Sequence, residues 1–161
     1  MSRLRVFLLG AIFVLVAGCL CAQTSYTWSG GSGDWHTGSN WTPAGIPAVL
    51  DTAIISSGTV SLTDNATVAN LEFSADLNGD SNLVVTNLMI WNNGPIQGTG
   101  SVTISEGATL RLIGSNQQTL RRNLVNNGTT IWEAGNFSLW DGITFTNKAA
   151  REMKHRIEHL L

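Results

Sequence analysis

The sequence predicts an all-β protein, a right-handed parallel β-helix built of stacked coils, and three observations carry that prediction. Its candidate strands are short and alternate apolar with polar residues, as in Thr59-Val60-Ser61-Leu62, Ser101-Val102-Thr103-Ile104 and Thr109-Leu110-Arg111-Leu112, so each turns one face inward and one outward. Glycine and asparagine punctuate these runs, as the tight turns between short strands require. The pattern also recurs. Gly58-Thr59-Val60-Ser61-Leu62 returns as Gly100-Ser101-Val102-Thr103-Ile104 and as Gly135-Asn136-Phe137-Ser138-Leu139, and Ile90-Trp91-Asn92-Asn93-Gly94 returns 34 positions on as Leu124-Val125-Asn126-Asn127-Gly128. Gly107-Ala108-Thr109-Leu110 returns 35 positions on as Gly142-Ile143-Thr144-Phe145. Self-similarity at a fixed period marks coils that bury their faces against their neighbours. A sandwich of antiparallel hairpins would alternate in the same way and is the rival fold.

Residues 1–23 read as an export signal. Arg3 and Arg5 give a positive start, Val6 to Gly18 is an uncharged apolar run, small residues follow, and no acid precedes Asp34. The run Val6 to Ala22 counts 17 residues, slightly short for a membrane span, with a retained anchor as the alternative. Val16-Ala17-Gly18-Cys19 resembles the lipobox of bacterial lipoproteins, in which Cys19 would carry the lipid; ordinary cleavage near Ala22-Gln23 is equally open. Both cysteines, Cys19 and Cys21, lie in this segment, so an ordinarily processed domain holds no disulfide and no thiolate metal site.

Residues 24–47 form a distinct opening in which Trp28, Trp35 and Trp41 are separated by Gly and Ser. Large aromatics in such a segment act as anchors. They form either a Trp-rich amino-terminal cap over the first coil or an exposed platform on which sugar rings stack. Residues 48–147 carry the β-helix repeats. Asn70-Leu71 and Asn87-Leu88 stand 17 apart, so the longer period holds two coils, and the segment accommodates roughly five or six coils rising about 4.8 Å each. The inward positions include Val60, Leu62, Leu71, Phe73, Val102, Ile104, Leu110, Phe137, Leu139 and Phe145, with Val102 and Phe137 stacked in neighbouring coils.

The opening Thr27-Trp28-Ser29-Gly30-Gly31-Ser32-Gly33-Asp34-Trp35, Asn40-Trp41, then Pro47 and Asp51-Thr52-Ala53-Ile54-Ile55, resembles the start of bacterial cell-surface β-helix proteins with autotransporter-type or haemagglutinin-like β-strand repeats. The Asn-Asn-Gly and Gly-Ala-Thr-Leu elements resemble the repeats of that group. The likeness covers residues 26–147. It implies a secreted β-helix, usually part of a longer passenger or adhesin, and it transfers no catalytic residue. The pattern departs from the family at Lys148. Residues 148–161 turn to helical composition, hold four of the nine Lys and Arg, and place Met153, Ile157 and Leu160 on one helical face. They form either a short carboxy-terminal helix capping the last coil or the product of a truncated or shifted reading frame.

Composition narrows the chemistry. Residues 24–147 contain three bases, Arg111, Arg121 and Arg122, against nine acids, a net charge of −6. That balance argues against nucleic acid, whose phosphates need a basic stripe. Asp76, Asn78 and Asp80 put side-chain oxygens at alternate positions, as calcium loops do, but Ser81 and Asn87 stand where such a loop has Gly and a bidentate Glu. A polar turn between coils accounts for the same residues. His155, Glu158 and His159 spell the H-x-x-E-H of inverted zinc peptidases, without the structural context that such a motif needs. A glycosidase needs two carboxyls across the scissile bond, and scattered Glu72, Glu106 and Glu133 do not supply them by spacing.

The expectation is therefore a non-enzymatic structural or adhesive module, secreted or held at the bacterial cell surface, with no cofactor. Its partners would be surface glycans or other cell-surface proteins, and it would meet a membrane only through a lipid anchor or retained signal. A carbohydrate-binding module using Trp28, Trp35 or Trp41 is the alternative, followed by a fragment of a polysaccharide-degrading β-helix enzyme.

Overall fold

The structure, a computed structural model, describes residues 22–114 and 117–148. From Thr52 onward they wind into a parallel β-solenoid of about five turns, each turn presenting three short faces. The first turn is β4 (Thr52–Ile55), β5 (Thr59–Leu62) and the start of β6 (Ala66–Ser74). The remainder of β6 begins the second turn, which continues through β7 (Asp76–Gly79) into β8 (Leu83–Ile104). That 22-residue strand then bends around all three faces of the third turn. The fourth turn is β9 (Thr109–Leu112) and β10 (Gln117–Asn126), and the fifth is β11 (Thr129–Trp132), β12 (Asn136–Leu139) and β13 (Phe145–Asn147). Every pairing among these strands is parallel, which excludes the sandwich of hairpins. Before them, β1 (Ser25–Trp28) lies parallel to β4, β2 (Ser32–Asp34) lies parallel to β5, and β3 (Trp41–Thr42) pairs antiparallel with β1.

Alternation makes the core. Inward residues of one turn sit on those of the next, so the first face stacks Ile55 on Phe73, Trp91, Leu112 and Trp132, at spacings of 18, 18, 21 and 20 residues. The second face stacks Val60 on Leu77, Ile96, Leu120 and Leu139. The third stacks Val102 on Leu124 and Phe145. Each column removes its middle members from water completely: Phe73, Trp91, Leu77, Ile96, Leu120 and Leu124 are at most 1% exposed.

The turn length read from Asn70 and Asn87 holds, since Asn87 Nδ2 donates to Asn70 Oδ1 at 2.7 Å across one turn. The longer alignment does not. Val102 lies over Leu124 on the third face, whereas Phe137 lies over Gln118 on the second. Likewise Trp91 continues to Leu112 on the first face, while Asn126 stacks between Ile104 and Asn147 on the third. All three faces use the same four-residue alternating strand, so likeness between strands does not say which face a strand occupies. Turn lengths that drift from 17 to 24 residues along the second face then move similar segments out of phase. Nine of the ten residues expected to face inward are buried or packed against the core, but Leu139 is 49% exposed. It holds the inward register above Leu120, and no further turn among the described residues lies on it.

Corners set the backbone requirements. At Gly98, φ is +101° and an added Cβ would overlap the carbonyl oxygen of Gly79 one turn below. Gly107 has a similar φ of +78° but opens onto free space. The two positions separate backbone strain from collision. Gly107→Ala is expected to cost about 1–2 kcal/mol from the left-handed conformation alone. Gly98→Ala is expected to cost about 3 kcal/mol or more, since the stacked turns must also part. Urea unfolding of the two variants checks this, and equal losses would contradict the stacking argument.

Candidate functional site

Three places in the fold gather chemistry-bearing side chains. The first is the amino-terminal end, where β1, β2 and β3 bring Trp28, Trp35 and Trp41 together. The rings meet edge to face, with centroids 5.1 Å apart for Trp28 and Trp41 and 4.9 Å for Trp35 and Trp41. Trp41 Nε1 donates to the Trp35 carbonyl at 2.8 Å. At 5%, 0% and 2% exposure, none of the three offers a ring face to a sugar. The alternative of a sugar-stacking platform does not fit these residues, because all three indoles are buried in the core cluster.

Beside them, Asp34 is held by its neighbours. Its Oδ2 accepts the Thr63 hydroxyl at 2.6 Å and the Thr63 N–H at 3.3 Å, and its Oδ1 accepts the His36 N–H at 2.8 Å. Burial works to raise the Asp34 pKa, but these hydrogen bonds and the nearby His36 ring outweigh it and hold the carboxyl below its ordinary value. The arrangement is not a nucleophile relay. The Thr63 hydroxyl donates to the carboxylate rather than to an imidazole, and His36 Nδ1 sits 3.8 Å from Asp34 Oδ1 without a hydrogen bond.

The second place is the outward row along the second face. Asp76, Asn78 and Asp80 lie on or just past strand β7, not in the polar turn expected of them. Asp76 accepts Gln97 Nε2 from the next turn at 2.7 and 3.0 Å. Asn78 Oδ1 accepts the Gly79 N–H, and Asp80 accepts the Thr99 hydroxyl at 2.9 Å. Each of the three residues has its own partner, and an extended strand spaces them along a line rather than around a point. Other rows bridge turns in the same manner. Asn82 Oδ1 accepts the Ser101 N–H and hydroxyl, Asn92 donates to Ser74, and Asn70 donates to Thr52.

The three arginines are engaged separately. Arg111 pairs with Glu133 at 2.6 Å in the open, a contact of under about 1 kcal/mol. Arg122 turns inward at the bulge between Arg121 and Asn123, 1% exposed, where Nε donates to the Gly100 carbonyl at 3.0 Å and Nη2 to the Ser81 carbonyl at 2.6 Å. Burial lowers its pKa and nearby Asp80 pulls it back up. This buried cation ties the corners of three successive turns. The alternation of β10 places Arg122 inward, at the same parity as Gln118, Leu120, Leu124 and Asn126, and only its charge reads as an outward residue.

Arg121 belongs to the third place, the last turn. Its guanidinium lies 4.0 Å from the ring centroid of Trp140, which is 54% exposed and is the most exposed large apolar residue among those described. The sequence carried one signal for Trp140. Phe137 and Leu139 face in, so the next residue but one after Ser138 faces out. A shallow cleft lined by Glu106, Asn127 and Lys148 opens at another corner of the same end. Cys19, His155, Glu158 and His159 lie outside the described residues.

Two measurements test the amino-terminal cluster. Trp41→Ala is expected to destabilise the fold by about 3–5 kcal/mol, as removal of a buried indole does, and to leave a surface-like change of under about 1 kcal/mol for Trp140→Ala. Because Asp34 titrates lower in the folded than in the unfolded chain, its stabilisation is complete above about pH 4 and is lost as pH falls through the folded-state value. Asp34→Asn should therefore be less stable than wild type at neutral pH, with the gap closing in acid; a gap constant from pH 7 to pH 2 would contradict this origin.

No protein-family model, curated protein or solved structure matches the chain, so its own residues and geometry carry the functional assignment.

Proposed function

We propose that the chain is a non-enzymatic structural or adhesive module of an exported bacterial protein, of the cell-surface β-helix kind its opening motif resembles. One observation carries this reading: rows of outward polar groups bridge turn to turn. Asp76 holds Gln97, Asp80 holds Thr99, Asn70 and Asn87 hold each other, and Arg111 holds Glu133. An acid–base pair for hydrolysis or proton abstraction must instead converge on a point where substrate can sit. Such rows serve a rod that projects and presents its surface. In this reading the solenoid is right-handed, as parallel crossover connections are, the Trp28, Trp35 and Trp41 cluster caps its first turn, and residues 148–161 supply the short helix at the other end. Residues 1–23 direct export, with Cys19 as the lipidated residue if the chain is anchored.

The exposed indole of Trp140 beside Arg121 supports one second reading, a carbohydrate contact on the last turn instead of the first. Two experiments decide among these. The mass of the mature amino terminus in a bacterial host is expected to show a start near Gln23 or a lipidated Cys19, and an intact Met1 would overturn export. Binding of purified protein to bacterial cells and to a glycan panel, beside a reducing-end assay on polysaccharides, is expected to show cell or surface association without turnover. Glycan binding lost in Trp140→Ala with folding retained would favour the carbohydrate reading, and turnover of any polysaccharide would sink both.

A further inference from the structure

Three Asn-Gly pairs occur in the chain, Asn78-Gly79, Asn93-Gly94 and Asn127-Gly128. Each holds the parts of one spontaneous reaction, attack of the glycine amide nitrogen on the asparagine side-chain carbon Cγ. Asparagine is among the thermolabile residues, and a following residue without Cβ leaves that approach open. The fold holds the three pairs differently. Asn78 is exposed on the outward row of β7, and the Gly79 N–H donates to the side-chain Oδ1 of Asn78 itself at 2.7 Å. Cγ is one bond beyond that oxygen, so nucleophile and electrophile stand side by side. At Asn127 the nucleophile is turned away. The buried Gly128 N–H donates to Asn126 Oδ1 at 3.2 Å, and the Asn127 N–H is fixed to the Ile104 carbonyl at 2.9 Å. At the half-buried Asn93 the backbone is clamped. The indole Nε1 of fully buried Trp91 donates to the carbonyls of both Asn93 and Gly94, each at 3.1 Å.

We propose that Asn78 is a site of spontaneous deamidation, selected by the fold over the other two Asn-Gly pairs. The Gly79 nitrogen gives its proton to hydroxide and bonds to Cγ of Asn78. The bond from Cγ to Nδ2 breaks, and Nδ2 takes a proton from water and leaves as ammonia. The product is a five-membered succinimide joining residues 78 and 79. Water then adds to one of its two carbonyls. Opening between Cγ and the nitrogen leaves an aspartate at position 78. Opening between the main-chain carbonyl carbon and the nitrogen leaves an isoaspartate, with the chain routed through the former side chain. One water is consumed and one ammonia released, and nothing is oxidised or reduced. Both products alter the second face. An aspartate at position 78 stands between Asp76 and Asp80, about 7 Å from each along an extended backbone, and places three like charges in one row. An isoaspartate adds one atom to the backbone of β7, which is held in register between β5 and β8. Because no enzyme is needed, the mark records elapsed time as added negative charge.

The test follows conversion at positions 78, 93 and 127 in the full chain, kept in warm, mildly alkaline buffer either folded or in urea. Peptide mass mapping that separates aspartate from isoaspartate reads each site. In the folded chain Asn78 is expected to convert at least about tenfold faster than Asn93 and Asn127, a factor well within what positioned reacting groups gain. Its rate should rise with pH, because hydroxide takes the amide proton. In urea the three rates are expected to converge, since all share the same Asn-Gly chemistry. Asn78→Ser keeps a polar residue on the outward row and should remove most of the acidic species that isoelectric focusing detects in aged wild type, with circular dichroism as the folding check. Conversion of Asn78 no faster than that of the other two in the folded chain overturns the proposal. So does a preference for Asn78 that persists unchanged in urea, since chain neighbours and not the fold would then set it, or acidic species that accumulate undiminished in Asn78→Ser.

Discussion

Each turn of this solenoid rests on the backbone of the turn before it, and that contact governs the rest of the structure. Parallel strands about 4.8 Å apart leave no freedom to shift one turn against the next. Inward side chains must therefore stack in columns, as Val60, Leu77, Ile96 and Leu120 do. Corners must clear the carbonyl below, which is why a residue without Cβ stands at Gly98 over Gly79. Outward polar groups find their nearest partners one turn away, so Asn87 meets Asn70 and Gln97 meets Asp76. Core, corner and surface are three consequences of one spacing.

The same contact makes the ends special. A middle turn gains burial from two neighbours and an end turn from one, so an end must be filled from elsewhere or stay partly wet. Before the first turn, Trp28 and Trp35 pack edge to face on Trp41, and all three join the core cluster. At the other end Phe137, Leu139 and Phe145 hold the inward register, and no further turn lies on them among the described residues. Arg122 shows a related accommodation within the stack. The register shift between β10 and β8 sets Gly98, Thr99 and Gly100 against Arg122 alone, and its long cationic side chain reaches the carbonyls of Gly100 and Ser81. Buried carbonyls require donors, and a guanidinium supplies several from one residue.

The candidate sites were legible to different degrees. Aromatic anchoring was readable in the spacing of Trp28, Trp35 and Trp41, but whether those rings faced core or solvent was not, because the segment lacks the alternation that assigns faces. Alternation did mark Trp140 as outward, yet its pairing with Arg121 arises from residues 19 positions apart brought together by register. Asp76, Asn78 and Asp80 read as a polar turn or, less well, a cation loop, and only the strand pairing of β7 shows that they run along a strand.

The sequence by itself determined that the chain is built of short strands with one apolar face, that they repeat at the length of one turn, and that glycine and asparagine sit where the backbone bends. These are local properties, fixed by side-chain period and backbone sterics within a few residues. Tertiary structure decided which strand occupies which of the three faces, placing Val102 and Phe137 in different columns although their segments look alike. It also decided that Arg122 is buried and Leu139 is not. Those outcomes depend on accumulated turn length, on the carbonyls of two earlier turns that the Arg122 guanidinium reaches and on what packs against Leu139, and none of these lies within a few residues of the chain.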